Sequence, residues 1–183
     1  AGQRVATLLE DTYDRGCLMI TVPKEQADFI QDWSRMQIPD AALYTDEKGE
    51  YGREAETHIT VKWGILMKKP DEVLTNVVGS TKVFPVRLGR VSLFNTNPYY
   101  DVVKVEVESP WLRALNARIR GTVPNEETYP SYQPHCTLAY VKKGSCDQLV
   151  GKPIFGVDGS PNSTFYVQEL MYKGPGESGD KSR

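Results

Sequence analysis

The sequence predicts an α+β fold of two duplicated lobes, each strand-helix-strand in plan, that face each other. Three observations predict it. Strand and helix periodicities follow one another in the same order in both halves, each order ends on a strand carrying a histidine, and the chain holds only those two histidines. At 183 residues the chain is long enough for one well-cored domain or two small lobes sharing a core, but short for two independent domains. An apolar fraction of 39%, with ten Tyr, five Phe and three Trp, is that of a globular protein. A single bilobal domain over residues 1–173 is expected, with lobes near 13–95 and 96–173 between which a strand can exchange. The tail over 174–183, rich in Gly, Ser and charge, is expected to be disordered.

The elements follow in order. Cys17-Leu18-Met19-Ile20-Thr21-Val22 is a β-rich run stopped by Pro23, and residues 24–36 then set Ala27, Phe29, Ile30 and Trp33 at near-helical spacing. Residues 46–56 are polar, contain Gly49 and Gly52, and read as a surface loop leading into a strand over 57–65. In the second half, residues 101–108 alternate Val102, Val103, Val105 and Val107 with polar residues. Pro110 opens a helix to about Arg120, and a loop with three prolines delivers the chain to a strand over 135–141. After each histidine strand come a helix-like stretch (71–78; 146–150) and a further strand (82–95; 164–172). The halves match in pattern and not in residue identity, as in a diverged duplication.

Charge and cysteine usage exclude several function classes. Lys and Arg total 22 against 24 Asp and Glu, a net charge of −2, so long duplex nucleic acid is not an expected partner, although a local pocket can still be rich in donors for a small phosphate ester. Cys17, Cys136 and Cys146 form an odd set without a CxxC pair and read as reduced thiols of a cytoplasmic protein. Neither histidine has a cysteine or second histidine at ligand spacing, so neither metal nor other cofactor is expected. No apolar run approaches the roughly 20 residues of a membrane span, and no basic-then-apolar leader is visible, so no membrane partner is expected.

Both histidines are followed two positions later by threonine, in Thr57-His58-Ile59-Thr60-Val61 and Pro134-His135-Cys136-Thr137-Leu138. With thirteen threonines in the chain, chance puts Thr at both positions only about once in 200 sequences of this composition. On a strand, residues i and i+2 share a face, so each pair presents an imidazole beside a hydroxyl while Ile59 and Cys136 turn to the core. Two imidazoles can exchange protons near neutral pH, and two hydroxyls can donate to phosphate oxygens. One strand histidine alone is more often a hydrogen-bonded structural side chain; two copies at matching places in a duplicated plan point to chemistry.

These paired motifs resemble those of the 2H phosphoesterase superfamily, which have the form apolar, His, any residue, Thr or Ser, apolar. The leading position departs in both copies, being Thr57 and Pro134 here. The resemblance spans roughly residues 18–172. It implies a bilobal α+β fold whose antiparallel sheets face a central cleft, and a phosphodiesterase acting on a small nucleotide: a 2′,3′-cyclic phosphate, a 2′,5′-oligoadenylate or a cyclic dinucleotide. Some bacteriophage members degrade the cyclic-nucleotide signals of bacterial anti-phage systems, and His58-Ile59-Thr60-Val61-Lys62-Trp63-Gly64 is similar to phage sequences.

The chemistry then follows from the side chains. One neutral imidazole takes a proton from water or a ribose hydroxyl while the other, protonated, delivers one to the leaving oxygen. Thr60 and Thr137, aided by Lys62 two residues farther along the same strand, would bind the nonbridging oxygens. Tyr132, Tyr140, Trp63 and Tyr44 are candidates to stack on a nucleobase. The rival reading is a non-catalytic module that keeps the cleft and sequesters a signal nucleotide; an RNA ligase or a transferase using one histidine as nucleophile is a further alternative.

Overall fold

The computed structural model describes residues 15–126 and 129–176. Among these residues the strands are β1 (Arg15–Thr21), β2 (His58–Leu66), β3 (Phe84–Phe94), β4 (Tyr100–Glu108), β5 (His135–Lys142), β6 (Thr164–Val167) and β7 (Met171–Lys173), and the helices are α1 (Lys24–Gln37), α2 (Glu72–Gly79) and α3 (Pro110–Thr122). Local chemistry sets the helix starts. The Asp71 carboxylate accepts from the Leu74 amide, and the Ser109 hydroxyl accepts from the Leu112 amide one residue before Pro110, which is preset for a first helical position. None of these helices is long and apolar enough to cross a membrane.

The strands form one antiparallel sheet in the order β6-β3-β4-β5-β2-β1-β7. One face of it carries the main core: Leu18, Ile20 and Val107 are buried there, and Ile59, Val61, Val103, Val105 and Cys136 have no exposed surface. The helices cover this face crosswise, with α1 against β5 and α3 against β2 and β3, so each lobe's helix supports the other lobe's motif strand. Asn116 on α3 donates to the Val61 carbonyl at 2.7 Å, fixing that contact.

The expected strand over 164–172 is broken. Residues 168–170 leave the sheet, so β6 pairs with β3 on one edge while β7 pairs with β1 on the other. A three-residue link spans at most about 15 Å, so the two edges must approach and the sheet must curl. The helix-like stretch expected over 146–150 is a short 3₁₀ turn, Asp147–Leu149. Residues 177–183, most of the expected tail, lie outside the described residues, as do 1–14.

Where the two halves meet, the sheet is thin. Among the described residues β2 and β5 pair only at Ile59 and Cys136. Their remaining lengths are covered by each other's approach segments. The expected loop over 46–56 folds back through the bridges Thr45–Tyr51, Leu43–Val141 and Arg53–Ala139 and flanks β5, while the chain at Asn125 bridges Ile65 of β2. Tyr132 closes the seam, its hydroxyl donating to the Thr60 carbonyl at 2.7 Å and its own carbonyl accepting from Arg113 at 2.9 Å. Gly64 permits the approach of residue 126: its φ is +80°, and a Cβ there would stand 2.6 Å from the Glu126 carbonyl oxygen.

Two outcomes are expected. Gly64→Ala should cost about 1–3 kcal/mol and lower the melting temperature by about 2–10 °C in a thermal scan, from left-handed strain and the carbonyl clash. Tyr132→Phe should leave the Thr60 carbonyl unpaired and cost about 1–3 kcal/mol in a urea titration.

Candidate active site

Ile59 and Cys136 are paired and each has no exposed surface, so their flanking side chains must emerge on the opposite face of the sheet. Antiparallel pairing about this point sets His58 across from Thr137 and Thr60 across from His135. All four side chains are partly exposed on one face. The two histidines are then diagonal neighbours, a relation that separates residues on adjacent strands by about 7–8 Å. A threonine hydroxyl stands at each remaining corner of the quartet.

Each motif strand carries the same irregularity. Relative to β1, the register of β2 shifts between the pairs Met19–Thr60 and Leu18–Lys62, leaving Val61 as an extra residue. Relative to β4, β5 shifts between Lys104–Thr137 and Val103–Ala139, leaving Leu138 extra. The bulge therefore falls three residues after each histidine and reverses the alternation beyond it. Lys62 does not share the face of His58 and Thr60, contrary to the expectation from simple alternation. It lies opposite Leu18, is buried, and donates to the Glu126 carbonyl at 3.3 Å. The same bulges return Trp63 and Tyr140, each five residues past its histidine, to the histidine face.

The two imidazoles are held differently. His135 donates through Nδ1 to the Gln133 carbonyl at 2.7 Å, which fixes the ring with Nε2 as the nitrogen that can exchange a proton with substrate. The ring edge of Phe94 meets it with centroids 4.9 Å apart. His58 Nδ1 is buried and meets no hydrogen-bond partner among the described residues. The Thr60 hydroxyl accepts a long contact from the Cys17 thiol at 3.9 Å, so its own proton remains to be donated.

Other expected contributors fall in two groups. Tyr44 and Tyr140 join Tyr51, Tyr100, Val102 and Phe94 in a second apolar cluster on the histidine face. Tyr140 is itself buried beneath that cluster, 5.1 Å from Tyr51 between ring centroids, so the half-buried rings of Tyr44, Tyr51 and Phe94 form its outer surface. Tyr51 adopts φ +76°, a strained value for a non-glycine residue. Trp63 lies beyond Thr60 with the Arg15 guanidinium 5.8 Å from its ring centroid. Tyr132 is not presented as a stacking surface: its ring packs against the main core, its hydroxyl is committed to Thr60, and burial pushes its phenol strongly up.

Sequence reasoning missed the polar group on the strands beside β5. Glu106 pairs with His135 and Lys104 with Thr137, and Ser92 of β3 pairs with Lys104, so all three share the histidine face. Burial pushes the Glu106 carboxyl up, but the Ser92 hydroxyl, the Lys104 ammonium and the charge of His135 outweigh it and hold it below its ordinary value. A carboxyl lowered in the folded state adds stability above its ordinary range and loses it as pH falls through the lowered value. The alternation of polar residues with valine over 101–108 was the available signal. It marks one face as polar without saying which face the histidines share.

Among the described residues no three His, Cys, Asp or Glu side chains gather as a metal site would require. The profile of the 2′-5′ RNA ligase superfamily matches residues 22–169. No curated protein matches the chain in sequence. Among solved structures, apo E. coli LigT is similar with TM-score 0.57 and 18% identity over 88% of this chain and 87% of its own. E. coli LigT complexed with 3′-AMP gives 0.55 and 17% over 88% and 86%, and TT0787 of Thermus thermophilus gives 0.51 and 16% over 86% of each. These likenesses carry the curled α+β fold, and the profile match carries membership. The chain belongs to the 2′-5′ RNA ligase superfamily and is an enzyme of the two-histidine phosphoesterase type.

Proposed function

We propose that the chain is a metal-independent phosphodiesterase that cleaves a small nucleotide phosphodiester, with His58 and His135 as its acid and base. The observation that carries this reading is the emergence of His58, Thr60, His135 and Thr137 on one face around the Ile59–Cys136 pair. One imidazole removes a proton from the attacking water or from the free ribose hydroxyl beside the ester, and a new P–O bond forms. The Thr60 and Thr137 hydroxyls bind the nonbridging oxygens, where charge grows as phosphorus becomes pentacoordinate. The second imidazole protonates the leaving oxygen as its bond to phosphorus breaks. Attack by water gives a phosphomonoester and an alcohol; attack by the free neighbouring ribose hydroxyl, 2′ on a 3′,5′ linkage and 3′ on a 2′,5′ linkage, gives a 2′,3′-cyclic phosphate and an alcohol.

The substrate in this reading is small and bears at least one base. The aromatic residues on the histidine face supply stacking surfaces, and 3′-AMP bound to LigT supports a nucleotide ligand of this size. A 2′,3′-cyclic phosphate, a 2′,5′-oligoadenylate and a cyclic oligonucleotide signal all meet that description. Destruction of the last is the activity by which such an enzyme would counter a host's cyclic-nucleotide antiviral signalling.

His58→Ala and His135→Ala should each lower kcat by about 10²- to 10⁴-fold while the melting curve stays close to wild type. Activity should survive EDTA; its loss on chelation and return with added metal would overturn the metal-free assignment. Chromatography of products from a panel of 2′,3′-cyclic nucleotides, 2′,5′-oligoadenylate and cyclic dinucleotides should reveal one class cleaved well above the others. A ligand recovered intact from all of them would instead favour sequestration.

A further inference from the structure

The two lobes match in their histidines, threonines and bulges, and differ sharply in what stands beside them. In the first lobe, Met19 lies across from Thr60 and Thr21 across from His58. In the second, the corresponding places opposite Thr137 and His135 are taken by Lys104 and Glu106. Met19 shows that a neutral side chain can fill this position in the fold, so packing alone does not call for a cation.

Lys104 is nevertheless 3% exposed, on a strand whose other buried residues are almost all apolar. Taking an ammonium out of water is costly unless it is well paired. Its hydrogen bond to a neutral hydroxyl is short, but its ionic partner is distant and half-exposed. Nζ meets the Ser92 hydroxyl at 2.5 Å, stands 3.4 Å from a Glu106 oxygen whose side chain is 52% exposed, and lies 4.3 Å from the Phe94 ring centroid. Phe94 in turn touches His135. Residues directly opposite on antiparallel strands have Cβ atoms about 4.5–5.5 Å apart, so the flexible four-carbon stem of Lys104 reaches the space above Thr137.

We propose that Lys104 is a phosphate-binding residue of this site, holding an anionic nonbridging oxygen on the His135 side and offsetting the charge that develops at pentacoordinate phosphorus. Ser92, Glu106 and Phe94 form its resting berth, from which it moves toward an incoming anion. The inference rests on the phosphodiesterase reading for its catalytic part and on the geometry alone for anion binding. It also makes the site electrostatically lopsided: the phosphate is drawn toward the second lobe although the four motif groups are arranged symmetrically.

The test uses the full chain with Lys104→Met, which copies the residue of the other lobe, and Lys104→Gln, which keeps a donor without the charge. Inorganic phosphate is titrated into each by calorimetry, and melting curves establish that each is folded. Both variants should bind phosphate about tenfold more weakly than wild type. On whichever diester the wild type cleaves, kcat should fall about 100-fold with a smaller change in KM, a split that loss of packing would not produce. Equal phosphate affinity in wild type and a folded variant, or no phosphate binding by wild type, overturns the proposal. A wild type that cleaves no diester refutes the phosphodiesterase reading, while the phosphate titration still decides the fate of Lys104.

Discussion

Ile59 and Cys136 each sit on a motif strand, wholly buried, and face one another across the only point at which β2 and β5 pair among the described residues. Burying these two residues against the helices obliges their neighbours to emerge on the far side, because alternate residues of a strand point oppositely. Two residues that do no chemistry thus aim four that can. The helices reinforce the arrangement by crossing over, each lying under the motif strand of the opposite lobe, so neither motif can shift without disturbing the other half's packing.

Duplication explains the geometry, and divergence explains how such a site becomes specific. The repeated bulge three residues past each histidine is a backbone feature common to both halves. It outlasts the loss of residue identity because it changes the direction of everything after it: Lys62 is turned inward and Trp63 outward by one extra residue. What differs lies around this shared frame. The side around β5 gathers Phe94, Tyr44, Tyr51, Tyr100 and Tyr140 with the buried Lys104 beside the half-exposed Glu106, and the β1–β2 side offers Met19, Cys17 and Trp63 beside Arg15.

Much of the fold was legible because periodicity and punctuation are local. Pro23 and Pro110 punctuate helix starts whatever the tertiary context, and Val103, Val105 and Val107 mark a half-buried strand. The shared face of the four candidate residues was legible for the same reason, since His-x-Thr on a strand is one face by geometry. Lys62 was misplaced because a bulge depends on the partner strand, which the local pattern does not carry. Lys104, Glu106 and Phe94 were missed because their proximity to His135 arises from pairings between segments far apart in sequence. The break at 168–170 was hidden inside a run of strand-forming residues, and only the need of two distant edges for a partner interrupts it.

The excursion from β6 to β7 has a consequence for how the molecule comes into being. The strand that completes the first lobe is made from residues 171–173, at the other end of the described chain from the β1 it joins. During synthesis from the ribosome, β1 cannot acquire its full complement of hydrogen-bonded neighbours until residues 171–173 have emerged. Such long-range closure favours late, all-or-none maturation over stepwise folding of one half and then the other. The open margin of β1 is exposed meanwhile, and that interval is when a nascent chain is most vulnerable to pairing with the wrong partner.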